Sequence, residues 1–168
     1  MQIQKRTYLV VIALVTFWCA GIFLAPALRA SDAVASSILY SFYKPICHQI
    51  DSHSFHMFGS KLAVCARCSS IYVSFLLALL VYPFVRDLSS LSTPRPRWIL
   101  LAVLPMVVDV LLGLSGIHTS DALTRAITGG LFGAVLPLYL LPPLLEGIKQ
   151  VRDQLLARGG FLYARKAQ

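Results

Sequence analysis

Three cysteines and a run of histidines carry the chemistry this sequence could perform. Cys47-His48-Gln49 is followed by Cys65-Ala66-Arg67-Cys68, with His53 and His56 in the stretch between. A Cys-x2-Cys spacing lets two sulfurs converge on one metal ion or close a small disulfide, and a further ligand group some 15–20 residues away is ordinary zinc-site spacing. If Cys65 and Cys68 start a helix they share one face, three residues apart, and the helix N-terminus favours their thiolates. Three thiolates and one imidazole would make a tetrahedral zinc site from Cys47, Cys65, Cys68 and His48. His48 adjoins Cys47 and would chelate the same ion awkwardly, so His53 or His56 is an alternative nitrogen donor. The fourth cysteine, Cys19, stands alone within an apolar run and reads as a small packing residue.

Other chemistries stay open. Reactive thiols would suit a membrane thiol-disulfide oxidoreductase linked to a quinone, with Arg67 or His48 facing the quinone head. Such enzymes pass electrons through a second cysteine pair, and here only Cys47 is available. A structural disulfide from Cys47 to Cys65 or Cys68 would leave one thiol over. An accessory or transport subunit of a membrane complex, or a homo-oligomer, is the third class. No His-Glu-x-x-His motif supports a zinc protease, and iron–sulfur chemistry suits an oxidising outer face poorly.

Several polar residues bear on the same region. Asp109 falls inside an apolar run, where an ionisable group normally faces the bundle and has a partner. A direct pair with Arg125 needs the intervening helix end to be short or tilted; Arg67 is the other candidate. Gln49 is a further buried polar or substrate-contact candidate, and His118 lies in the turn before Arg125. The bland reading is an ion pair that locks helices together; the functional one is a substrate, proton or metal contact in a shared cavity.

The elements that must position these residues are membrane helices. The 168 residues are 57% hydrophobic and only 13% charged, against about 25% charged in a typical soluble domain. The apolar residues fall in four long runs, 7–28, 62–85, 98–114 and 126–145, each close to the roughly 20 residues that cross a bilayer. This predicts one integral membrane domain over 1–168, an all-α bundle of about four transmembrane helices with a basic tail, 146–168. A short amphipathic helix over 31–44, with Ser31 as N-cap and Val34, Ile38, Leu39 and Phe42 on one face, would lie at the interface. The first run resembles a signal peptide in its basic start and small residues near Ala30, but its apolar stretch is long for one, so an uncleaved helix is the reading. Gly129-x3-Gly133 would let a neighbouring helix approach closely. Pro137, Pro142 and Pro143 are expected to kink or end the fourth helix.

The net charge of +8 sits between the apolar runs and in the tail, which points to lipid headgroups rather than nucleic acid. Lys5, Arg6, Arg86, Arg95, Arg97, Lys149, Arg152, Arg158, Arg165 and Lys166 lie on one side; Arg29, Lys44, Lys61, Arg67 and Arg125 on the other. The positive-inside rule then puts both termini in the cytoplasm of a cell (inner) membrane protein and the Cys/His loop outside.

The order Cys47-His48-Gln49, Ser54-Phe55, Gly59, Cys65-Ala66-Arg67-Cys68 and Ile71-Tyr72 resembles an uncharacterised prokaryotic membrane family, domain of unknown function 2085. The resemblance continues through Pro105, Asp109, Gly113, Arg125 and Thr128-Gly129. The family pattern has an Arg before the Ser-Phe pair, where this chain has His53. The resemblance implies a multi-pass membrane protein and no assigned reaction.

Overall fold

The computed structural model describes residues 2–90, 92–116 and 120–166, with side chains to residue 157; His118 and the side chains of the last part of the tail lie outside them. Among the described residues four helices are long and apolar enough to cross a membrane: α1 (Gln2–Ala27), α3 (Ala66–Val85), α4 (Arg97–Leu114) and α5 (Ala122–Lys166). The short α2 (Ala33–Tyr43) follows α1, and a small hairpin, β1 (His56–Met57) with β2 (Ser60–Lys61), precedes α3. Side chains such as Phe17 and Phe84 are almost wholly exposed to the surroundings. Such apolar exposure is expected where lipid, not water, is the solvent.

α1 and α4 run one way, α3 and α5 the other. At one end, the Tyr8 hydroxyl of α1 donates to the Leu79 carbonyl of α3 over 2.6 Å. There Leu79 and Tyr82 pack with Leu141 and Leu145 of α5. At the other end Ile22, Ala25, Tyr43, Cys47, Leu62, Ala63 and Val64 form a second core. That core ties α1, α2 and the start of α3 together, and it contains the first cysteine of the motif.

Three expectations change. Asp32, not Ser31, caps α2, its carboxylate accepting from the amides of Val34 at 3.1 Å and Ala35 at 2.9 Å. The second membrane helix begins at Ala66 rather than at position 62, because Leu62–Val64 form a bent, buried lead-in. The prolines of α5 do not end it: the helix spans 45 residues, about 67 Å at 1.5 Å per residue. Pro137 and Pro142 are fully buried, and Leu138, Leu141 and Leu145 hold that stretch against α1 and α3. Packing on both sides of the prolines outweighs the lost amide donors, as membrane helices commonly allow.

The tightest seam is between α3 and α5. A Cβ on Gly129 would meet the Arg67 carbonyl at 2.7 Å, and one on Gly133 would collide with the Ile71 backbone and the Ser74 hydroxyl. A Cβ on Gly130 would meet nothing within 4 Å. Gly133→Ala is therefore expected to cost about 1–3 kcal/mol through overpacking, while Gly130→Ala is neutral or slightly stabilising. Thermal midpoints of the two variants in one detergent check this; equal midpoints would mean the seam is looser than described.

Candidate metal centre

Cys47 reaches the site from the end of α2. The chain leaves the helix after Tyr43, and the Cys47 amide donates back to the Tyr43 carbonyl at 3.2 Å. Tyr43 is itself fixed, its hydroxyl donating to the Trp18 carbonyl at 2.6 Å and its ring meeting Trp18 edge-on. Cys65 is the N-cap of α3 and Cys68 lies in the first turn. The Cys65 amide donates to Cys47 Sγ over 3.1 Å. The three sulfurs lie within 4.8 Å of one another, and all are free thiols. Two sulfurs on one tetrahedral zinc, each about 2.3 Å from it, stand roughly 3.8 Å apart. The spacing therefore fits shared ligation after small adjustment.

Hydrogen bonds from the Cys65 thiol, then from the Cys68 thiol, hold the Cys47 pKa far below its ordinary value, against the opposing effect of burial. The backbone amide of Cys65 works in the same direction. These donors and the amide-rich start of α3 both favour the thiolate form of Cys47.

Gln49 is a clamp. Its backbone takes a positive φ of 52°, and its side-chain amide donates to the carbonyls of Tyr40 at 2.7 Å and Ala63 at 2.8 Å. Its own carbonyl accepts from Lys61 Nζ at 2.6 Å. The loop after Cys47 is thereby pinned to both α2 and the lead-in to Cys65. Lys61 and Tyr43 are the positioning residues that sequence reading missed. A lysine just before an apolar run looks like a headgroup contact, and nothing local marks its partner.

A cavity of about 200 Å³ opens on the thiols, lined also by His48, His53 and Arg125. Arg125 donates through Nε to the Ser120 carbonyl at 3.1 Å, and its Nη2 stands 3.2 Å from His53 Nε2. His48 is exposed at the rim. His56 pairs instead with Asp51 at 3.4 Å on the exposed loop. No histidine nitrogen belongs to the cluster of candidate ligand atoms among the described residues.

Asp109 is buried and pairs with Arg67, whose Nη2 donates to Asp109 Oδ2. Of the two partners open on sequence, Arg67 takes the role, and Arg125 goes to His53. Asp109 lies five residues before the end of α4 and Arg67 is the second residue of α3, so the pair sits at the same end of the bundle as the thiols.

The family described as predicted membrane protein (DUF2085) matches residues 47–139, from the first cysteine of the cluster to well inside α5. The chain belongs to this family. An uncharacterised protein of Methanocaldococcus jannaschii is 36% identical to this DUF2085 protein over 151 residues, covering 86% of the chain and 97% of the relative. No solved structure matches. The matched segment of the DUF2085 protein holds the three thiols, Arg67, Asp109 and Arg125 together.

Two outcomes follow from this geometry. Asp109→Ala strands a buried guanidinium and is expected to cost about 3–5 kcal/mol, whereas Arg67→Met with Asp109→Leu costs far less; denaturation in detergent measures both. Equal losses would mean the pair is well solvated. For His53, burial first and then the charges of Arg125 and Arg67 lower the pKa from 6.5. The folded chain binds that proton less readily than the unfolded chain, so stability is lost as pH falls through the unfolded value of 6.5 and below. The wild-type thermal midpoint should drop more than that of His53→Gln between neutral pH and about pH 5; parallel curves would remove His53 from this role.

Proposed function

We propose that this membrane protein holds a soft divalent metal ion, zinc first, on Cys47, Cys65 and Cys68. The observation that carries the reading is the convergence of three sulfurs from two separate chain segments, all within 4.8 Å. Thiolates select zinc and other soft ions over magnesium or calcium. A tetrahedral ion would keep one position beyond the three sulfurs. The cavity offers water, His48 or His53 for it. The ion either staples the loop to α3 or supports a reaction at that position. By the distribution of Lys and Arg, the termini are cytoplasmic and the site faces outward. The quinone-linked reading lacks a second cysteine pair, since Cys19 is buried within α1.

Metal analysis of the purified full-length protein tests this. About one zinc per chain is expected, falling to background in Cys65→Ser with Cys68→Ser and persisting in Cys19→Ser. Metal-free protein after purification and zinc dialysis, together with thiol exchange driven by a quinone, would replace the metal reading with the redox one.

A further inference from the structure

Away from the thiols, two grooves meet along α2. One, of about 480 Å³, is lined by Arg29, Tyr40, Asp51 and Lys61, together with Ser37 and Ser41. The other, of about 530 Å³, runs along Ala33, Val34 and Ile38 and shares the same two serines. A cation-bearing polar groove thus continues directly into an apolar one. The 11 residues of α2 are too few to span a bilayer, which takes about 20. Its apolar side is nonetheless uncovered, with Val34 at 72% and Ile38 at 64% exposure.

The polar groove carries two cations against one carboxylate. Arg29 lies over the Tyr40 ring, 6.0 Å from its centroid, and makes no ion pair among the described residues. Lys61 is anchored by the Gln49 carbonyl, and the Tyr40 hydroxyl donates to the Lys61 carbonyl. Both cationic groups are therefore held on one wall. Asp51 faces His56.

We propose that the paired groove binds an anionic phospholipid, its phosphate between Arg29 and Lys61 and the first part of an acyl chain along Val34 and Ile38. A free phosphate would fill only the polar half, and a neutral lipid would leave the cations uncompensated. Position agrees with charge: α2 follows directly from the end of a membrane helix, where headgroups lie. Gln49 lines both this groove and the thiol cavity, so a bound headgroup neighbours the thiols, though the proposal stands without a metal.

Native mass spectrometry of the full chain in neutral detergent tests it, with equimolar phosphatidylglycerol and phosphatidylcholine. One phosphatidylglycerol retained per chain with about tenfold preference is expected, in keeping with two cations acting on one anionic head. Arg29→Gln should cut the preference to about threefold, the share left to Lys61, and Arg29→Lys should keep it. Arg6→Gln, at the opposite end of the bundle, should leave it unchanged. Ile38→Ser should weaken retention of both lipids. Parity in the wild type, an unchanged preference in Arg29→Gln, or an equal loss in Arg6→Gln would overturn the proposal. So would glycerol phosphate competing as well as the lipid, which would mark a site for free phosphate.

Discussion

The close approach of α3 and α5 governs what the rest of this bundle can do. Gly129 and Gly133 put the backbone of α5 against Arg67 and Ile71, so the first turn of α3 cannot move without α5. That turn holds Arg67 and Cys68, and the N-cap before it is Cys65. Arg67 in turn meets Asp109, which sets α4 on the same frame. Arg125, one turn before Gly129, is brought to the cavity by the same contact and reaches His53. One small-residue seam therefore positions two of the three thiols, the buried ion pair and the cavity's cation. A membrane bundle has no hydrophobic driving force between helices, so van der Waals fit of this kind must supply the order.

The remaining thiol arrives by a different route. Cys47 lies on a loop, and loops at a membrane surface need their backbone groups satisfied. Gln49 does this with its side-chain amide, which donates to the Tyr40 and Ala63 carbonyls, and with its own carbonyl, which accepts from Lys61. Below it, Tyr43 and Trp18 lock α2 onto α1. Cys47 is thus ordered mainly from α1 and α2, and it meets α3 through Ala63 and the Cys65 amide. Two helix pairs, α1 with α2 and α3 with α5, meet at the sulfurs, which is the arrangement a metal clip would hold together.

Hydropathy alone made the four spanning helices legible, because the bilayer demands long apolar runs and the charges between them stand out. The cysteine spacing marked the cluster for a similar reason: the helix period puts Cys65 and Cys68 on one face. What the sequence did not resolve were interactions between distant segments. Asp109 advertised a buried partner, but Arg67 and Arg125 were equally open until the ends of α3, α4 and α5 were placed. His53 with Arg125 and Gln49 with Lys61 leave no periodic trace. The prolines of α5 point locally to a kink or an end; the helix does not end there because packing from Leu141 and Leu145 overrides that preference.

The electrostatics of the cluster bear on why such a site tolerates its position at the membrane boundary. Hydrogen bonds from the neighbouring thiols favour the Cys47 thiolate, and a trio holding one thiolate and two thiols would carry a single negative charge. A divalent ion on three thiolates carries the same net charge, since binding would release two protons. The surroundings are matched to that charge: the amide-rich start of α3 supplies roughly half a positive charge, and Arg125 stands on the cavity wall. Arg67 is paired with Asp109, which offsets part of its charge. Exchange of two protons for a metal ion would therefore leave the field at this end of the bundle nearly unchanged. On electrostatic grounds, binding would not require the rest of the bundle to rearrange.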